Sequence, residues 1–269
     1  MAPVEIDGNP ITGATIDGTD VQEITVDGQT VFSAQTLPVA ASDLKAWHPF
    51  DASFYGGNNG DDVTATFLSQ IASDTTDYSF LNTADGPVTY LNSGGINDIN
   101  AGPNSGAFES GGGRFKRNGF SWSGDTTLCA WVKDLTNGNS IQVYGFYGLG
   151  STRFMSIAIN RVNPGIQFVL DDGVNSYSAI ISHNPANLSN FNHAAIRYES
   201  STGLCTLFVN GQDVGDSSEA SGLNFNPSDF YGIGSINQSN GQIVVDDCRF
   251  YESALTNAQI NQIYQNTKP

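Results

Sequence analysis

The chain has 269 residues, of which 27 are acidic and 10 are basic, so its net charge is −17 at pH 7. This balance excludes a nucleic-acid-binding role, because such proteins need clusters of Lys and Arg to neutralise phosphates. No apolar run approaches the ~20 residues that cross a bilayer, so we expect no membrane insertion. The first residues lack the basic and apolar regions of a secretory signal, which predicts synthesis in the cytoplasm without a signal peptide.

The acidity fits either simple solubility or a high-salt, marine-type environment, where salt screens the repulsion between carboxylates. Lysine is scarce, with four residues in the whole chain, and this scarcity favours the halophilic interpretation. The cysteines are odd in number, so they cannot all form internal disulfides. Each lies in a largely apolar segment, and we predict that all three are small buried side chains: Cys129, Cys205 and Cys248.

The N-terminal segment contains an internal repeat. Asp-Gly occurs at residues 7–8, 17–18 and 27–28, a spacing of ten. Asp-Gly favours the tight turn of a β-hairpin, and Ile24–Phe32 has the pattern of one complete hairpin. Residues 1–36 are too few to bury a core, so we expect this arm to anchor the chain or to form an oligomer. Its apolar candidates for such contacts are Ile6, Ile16, Ile24, Val26, Val31 and Phe32.

Residues 37–43 have the small side chains of a linker, and residues 44–269 have the pattern of one large β domain. Short alternating strands are separated by Gly, Asn, Asp and Ser, which is typical of an antiparallel β-sandwich. Asn210-Gly211 predicts a further hairpin turn. At the end of the chain, Thr256 and Gln259 form a capping-box pattern, which predicts a helix of about two turns at the edge of the sandwich.

Two ligand sites are conceivable within the β domain. Aromatic rings with amide and charged neighbours can bind sugars, and the candidates are Tyr144, Tyr147, Arg153, Asn175 and Tyr177. Calcium prefers several oxygen ligands on flexible loops, and the candidates are Asp51, Asp62, Asp171 and Asp172, with Asp246 and Asp247 as a further pair. The alternative is that these aromatic side chains pack in the core and these Asp residues form turns.

No catalytic residue stands out. Retaining glycosidases need two carboxyls about 5 Å apart, and Glu5-Ile6-Asp7 begins such a pattern, but Asn9 and Pro10 follow where the second acid should stand. None of the three histidines neighbours a plausible nucleophile in the sequence, and no glycine-rich loop for phosphate precedes a helix. We therefore predict that the chain is not an enzyme.

Four stretches of the β domain together resemble the laminin-G-like / concanavalin A-like jelly-roll family. They follow the family's order, and they are Leu44–Asp51, Phe120–Lys133, the run from Asn192 to Gly211, and Val245–Tyr251 followed by Ala254, Leu255 and Ile260. The resemblance implies an all-β, antiparallel jelly-roll sandwich. It does not specify a function, because this fold carries lectins, receptor modules, glycosidases and spacers.

The arm is similar to segments near the ends of head and tail proteins of tailed viruses, as in Ile24–Phe32. This similarity implies a virion surface protein, such as a capsid turret, decoration or tail component, that presents a lectin-like domain for host attachment. Its partners would be other virion proteins, further copies of itself as a trimer or pentamer, and a host surface glycan. A free carbohydrate-binding lectin module and a polysaccharide-degrading enzyme are the alternatives.

Overall fold

A computed structural model describes part of the chain. The described residues are 5–6, 9–10, 15–16, 19–20, 23–26, 29–33, 40–48, 78–81, 88–91, 107–110, 114–118, 124–134, 141–147, 154–160, 163–182, 189–214, 221–223, 230–234 and 243–268. Two compact units are present, Met1–Pro38 and Val39–Pro269.

The described residues of the first unit form three two-stranded antiparallel sheets. Their strands are β1 (Glu5–Ile6), β2 (Asn9–Pro10), β3 (Thr15–Ile16), β4 (Thr19–Asp20), β5 (Glu23–Val26) and β6 (Gln29–Ser33). The pairs Ile6↔Asn9, Ile16↔Thr19 and Val26↔Gln29 each flank one Asp-Gly of the repeat. The predicted hairpin Ile24–Phe32 is confirmed, with Ile24 opposite Phe32.

In the second unit, eight of the described strands form one sheet. They are β7 (Leu44–His48), β9 (Val88–Leu91), β10 (Ala107–Ser110), β12 (Thr126–Asp134), β17 (Asn192–Glu199), β18 (Leu204–Val209), β19 (Gln212–Asp213) and β21 (Ile243–Tyr251). Their order in the sheet is β19-β18-β17-β12-β21-β10-β9, and β7 is also paired to β21. A short 3-10 turn, Ala41–Asp43, precedes β7.

Seven further described strands form a second sheet. They are β8 (Tyr78–Leu81), β11 (Arg114–Asn118), β13 (Ile141–Tyr147), β14 (Phe154–Asn160), β15 (Gly165–Asp171), β16 (Ser176–Ser182) and β20 (Phe230–Gly234). Their order in the sheet is β16-β15-β14-β13-β20-β11-β8. Every strand pairing in the described part of the chain is antiparallel, so the predicted jelly-roll sandwich is confirmed.

Alternate residues of the two large sheets form the main core. Examples are Leu128 and Ile196 from the eight-stranded sheet, and Ile157 and Phe168 from the seven-stranded sheet, all of them fully buried. A sheet buries every second side chain against its partner because successive residues point to opposite faces. The three cysteines are free and buried, as predicted.

The predicted turn at Asn210-Gly211 is confirmed. Both residues have positive φ values, 50° and 75°, which the tight hairpin turn between β18 and β19 requires. A Cβ atom at Gly211 would also lie 2.8 Å from Asn261 Oδ1 and 3.0 Å from Tyr264 Cβ. Glycine at this position therefore permits both the turn and the close approach of the C-terminal helix.

The C-terminal helix α1 spans Asn257–Thr267, which is 11 residues and longer than the two turns predicted. Its capping box forms as predicted: Gln259 N donates to Thr256 Oγ1 and Thr256 N donates to Gln259 Oε1. The helix packs on the face of the eight-stranded sheet, where Ile260 and Ile263 join Cys129 and Phe208 in a second buried cluster. The predicted docking at the sheet edge was therefore wrong. In the described part of the chain, no helix is long and apolar enough to cross a membrane.

Candidate functional site

The outer face of β14, β15 and β16 carries the polar groups of the candidate site. On β14, Met155, Ile157 and Ile159 point into the main core. The intervening Ser156, Ala158 and Asn160 therefore point to the opposite side, which we call the outer face. In the same way Gln167 lies between the buried Ile166 and Phe168 on β15. Ser156, Ala158 and Asn160 are themselves buried, and Gln167 is partly exposed, so the exposure of this face increases from β14 towards β16.

Three side chains on the outer face form a hydrogen-bonded relay across the strands. Asn160 Nδ2 donates to Gln167 Oε1 at 3.0 Å, and Gln167 Nε2 donates to Ser178 Oγ at 3.0 Å. Asn160 Oδ1 accepts from the backbone N–H of Asn163 at 2.9 Å. The relay runs from the buried Asn160 to the exposed Ser178 on β16, the edge strand of the described sheet. These bonds fix the positions of two amide groups and of one hydroxyl, and the hydroxyl of Ser178 is the exposed member of the series.

Carboxylates order the loop between β15 and β16. Asp171 Oδ1 accepts from the backbone N–H of Gly173 at 2.7 Å. Asp172 is 3% exposed, and its Oδ1 accepts from the N–H groups of Val174 at 2.8 Å and Asn175 at 2.6 Å. Short polar side chains that bond to nearby backbone N–H groups are typical of tight turns. Asn175 and Val174 of this loop are exposed, and the latter is 86% exposed.

Two of the predicted glycan residues, Asn175 and Tyr177, lie in the β15–β16 loop and on β16. Asn175 lies on the loop, and its amide Nδ2 donates to Asp172 Oδ2 at 3.3 Å. Tyr177 follows on β16 and is half-buried, because it packs against the main core. Tyr144 and Tyr147 lie on β13, opposite Ile157 and Phe154 of β14, and the positions of their side chains lie outside the description. Arg153 lies outside the described residues.

The predicted calcium ligands are only partly described. Asp51 and Asp62 lie outside the described residues, whereas Asp171 is the last residue of β15 and Asp172 is the first residue of the β15–β16 loop. Both carboxylates accept the backbone hydrogen bonds of that loop. Within the residues that the structure describes, no group of three or more His, Cys, Asp or Glu side chains could hold a metal ion. Calcium binding by Asp51, Asp62, Asp171 and Asp172 remains a prediction.

The further pair, Asp246 and Asp247, is buried on the eight-stranded sheet. Asp247 Oδ1 accepts from Arg249 Nε at 2.8 Å and from Trp47 Nε1 at 2.7 Å. The Arg249 guanidinium also lies 5.4 Å from the centre of the Trp47 ring. A buried charge needs partners of this kind to compensate for its lost hydration. These contacts make the Asp247 carboxylate part of the packing between β7 and β21.

Sequence reasoning missed the relay residues Asn160, Gln167 and Ser178. A polar residue between two apolar ones, as in Ile166-Gln167-Phe168, does indicate a position on the face opposite the core. The pattern cannot identify which outward residues of neighbouring strands meet, because this depends on the register between the strands. Here Gln167 is opposite Ile180, and Ser178 is opposite Val169, so the amide reaches the hydroxyl diagonally.

A model of laminin-G domains, described as the concanavalin A-like lectin/glucanases superfamily, matches residues 104–261. The chain belongs to this superfamily. The lectin-like fold that the sequence predicted is thereby confirmed, and it extends over both large sheets. No curated protein sequence matches the chain. The similarity of the arm to virion proteins remains a prediction.

Solved structures of this lectin-like fold include two toxin domains. The receptor binding domain of botulinum neurotoxin D superposes with a TM-score of 0.52 at 15% identity, covering 77% of this chain and 52% of that one. The binding domain of botulinum neurotoxin serotype G superposes with a TM-score of 0.50 at 14% identity, covering 72% and 49%. The chain thus spans about half the length of each toxin domain. At these identities the similarity establishes the fold.

Proposed function

We propose that the chain is a lectin-like attachment protein that binds a surface glycan on the outer face of β14, β15 and β16. The relay from Asn160 to Ser178 carries this proposal, because it fixes an exposed hydroxyl on the edge strand β16 through the two amide groups behind it. Sugars are recognised by a few fixed polar groups together with apolar side chains, and the loop that precedes β16 carries the exposed Val174. The solved domain of neurotoxin D, which has the same fold, is named as receptor binding.

The test is binding of the full chain to immobilised lactose, N-acetyllactosamine, maltotriose and sialyllactose. Ser176→Arg places a long side chain on the exposed start of β16, next to the relay, and should obstruct the site. Ser201→Arg adds the same side chain to an exposed turn of the other sheet and serves as the matched control. We expect glycan binding by the wild type and by the control only. If Ser176→Arg bound the glycan as well as the wild type does, the binding site would not lie beside the relay.

We further propose that this protein is displayed on a virion surface, as a capsid turret, decoration or tail component. The first unit supports this proposal, because each of the three hairpins among its described residues is a two-stranded sheet. An isolated two-stranded hairpin is marginally stable in water, so such hairpins need partner surfaces. In the proposed assembly residues 1–36 contact other virion proteins and further copies of this chain, as a trimer or pentamer. The jelly-roll domain faces outward.

Deleting residues 1–36 tests the anchoring role. We expect the shortened chain to be absent from purified particles and to remain monomeric, while it retains glycan binding and cooperative unfolding. The full-length variant Ile24→Asp, at a position opposite Phe32 in the third hairpin, should have the same assembly defect. Incorporation of the shortened chain at the wild-type level would contradict the proposed role of the arm.

In this role the chain is not an enzyme. The binding assay therefore has a simple companion, which is incubation of the same oligosaccharides with the full chain followed by measurement of reducing ends. We expect the oligosaccharides to remain intact. Release of products would instead support the polysaccharide-degrading alternative.

A further inference from the structure

The direction of every hydrogen bond in the relay is fixed at one end by a backbone group. The N–H of Asn163 can only donate, so Asn160 must turn its oxygen toward it, at 2.9 Å. The Asn160 amide nitrogen then faces Gln167 Oε1, and Gln167 has only its amide nitrogen left for Ser178. All the donors therefore point the same way, from the buried end of the relay to the exposed end.

This direction determines what Ser178 can offer to a ligand. Its Oγ atom accepts the bond from Gln167 Nε2, and a hydroxyl has one proton to donate. Within the described part of the chain, no protein acceptor takes that proton, and the side chain is exposed. Hydrogen bonds that run in one direction polarise one another, so the last donor of the series is strengthened.

We propose that Ser178 is the hydrogen-bond donor of the glycan site and that it binds an acceptor oxygen of the sugar. Gln167 and Asn160 are positioning residues, because they act through Ser178. This inference rests on the proposed function and adds to it the group that the ligand must present, which is an oxygen with a free lone pair, such as a ring oxygen or an N-acetyl carbonyl.

Two substitutions remove the donor in different ways. Ser178→Ala deletes the hydroxyl. Gln167→Glu keeps the shape and still accepts from Asn160, but an ionised carboxylate has no proton to donate. Ser178 must then donate inward to the carboxylate, and its proton is lost to the ligand. We expect either variant to weaken binding to whichever immobilised oligosaccharide the wild type binds, among lactose, N-acetyllactosamine, maltotriose and sialyllactose, by roughly tenfold, the effect of one hydrogen bond.

The double variant, which combines Ser178→Ala with Gln167→Glu, distinguishes an effect of the relay direction from a general effect of added charge. If Gln167 acts through Ser178, Gln167→Glu should cause no further loss in the Ser178→Ala background. Ser178→Thr, which keeps a hydroxyl, should bind like the wild type. Gln212→Glu, at an exposed position of the other sheet, is the matched charge control and should also bind like the wild type.

Three outcomes would overturn the inference. The first is that Ser178→Ala binds like the wild type, and the second is that Gln167→Glu does so. The third is that the two losses add in the double variant. Each outcome would exclude the directed relay, and none of them would contradict the proposed glycan-binding function. Absence of binding by the wild type to all four oligosaccharides would reject the proposed function itself. Thermal unfolding of each variant establishes that a loss of binding is not a loss of folding.

Discussion

The imidazole of His193 is enclosed between the Trp131 ring and helix α1. Its ring centre lies 5.4 Å from that of Trp131 and 6.2 Å from that of Tyr264. Neither ring nitrogen has a hydrogen-bond partner among the described residues. Burial, and to a smaller extent the positive charge of Arg249, lowers the pKa of His193 from 6.5 to about 3. The side chain is therefore neutral in the folded state over most of the acidic range.

Acid should destabilise the fold through this residue. Between pH 6.5 and about 3 the unfolded state binds a proton at His193 that the folded state does not, so stability falls as the pH falls. The contribution is about 1.4 kcal/mol for each pH unit in that window. His193→Leu should remove this slope. Denaturant unfolding of both proteins at several pH values between about 4 and 6 measures the free energy of unfolding. If this free energy changed with pH by the same amount in both proteins, the assignment of the slope to His193 would be contradicted.

Residue-level predictions succeeded where the local pattern determines the outcome. The buried cysteines and the Asn210-Gly211 turn are examples, since an apolar segment and two positive φ values are local properties. The glycan candidates were chosen by residue type, and residue type does not decide which side of a strand a ring occupies. Tyr177 packs partly on the core because it alternates with the exposed Ser176 and Ser178.

At the scale of the element, α1 depends on both its cap and its docking surface. Removing the cap with Thr256→Ala leaves the backbone N–H of Gln259 without its acceptor, and should lower the free energy of unfolding by about 1 kcal/mol. Thr256→Ser keeps the accepting oxygen and should restore most of that loss. Chemical denaturation of the three proteins measures the difference. An unchanged stability in Thr256→Ala would mean that packing alone sets the start of the helix.

The position of the helix was beyond the reach of the sequence pattern. Strand β12 is buried on both faces from Thr126 to Val132, so its apolar residues give no alternation that distinguishes inside from outside. The face that receives α1 is defined by Trp131, whose Nε1 donates to Thr267 Oγ1 at 2.7 Å. That contact joins residues 136 positions apart in the sequence, and no local signal reports it.

At the scale of the whole molecule, the net charge of −17 should make stability depend on salt. Repulsion between carboxylates opposes the compact state, and its range falls from ~30 Å at 0.01 M salt to ~3 Å at 1 M. We expect the melting temperature to rise over this range of NaCl, by roughly 2–4 °C for each kcal/mol gained. Thermal scans near the sequence pI of about 4.1 are the control, since the effect should vanish there. A salt-independent melting temperature at pH 7 would argue against the halophilic interpretation.

The fold could be predicted at this scale because each sheet repeats the same alternation many times, and the order of the blocks is specific to the superfamily. The candidate site could not be predicted from the sequence, because it depends on a diagonal contact between Gln167 and Ser178 on two neighbouring strands. Superfamily membership also leaves the function open, because the same sandwich carries different sites in different proteins.

The pairing of β7 with β21 has a consequence for how the protein is made. Trp47 lies opposite Arg249, and its indole N–H bonds to Asp247, 200 residues further along the chain. Ribosomes add roughly 5–20 residues per second, so about 10–40 s separate the emergence of these two strands. During that interval β7 lacks β21, the strand with which it pairs in the described part of the chain, and chaperone engagement of the segment around Trp47 should precede closure of the sheet.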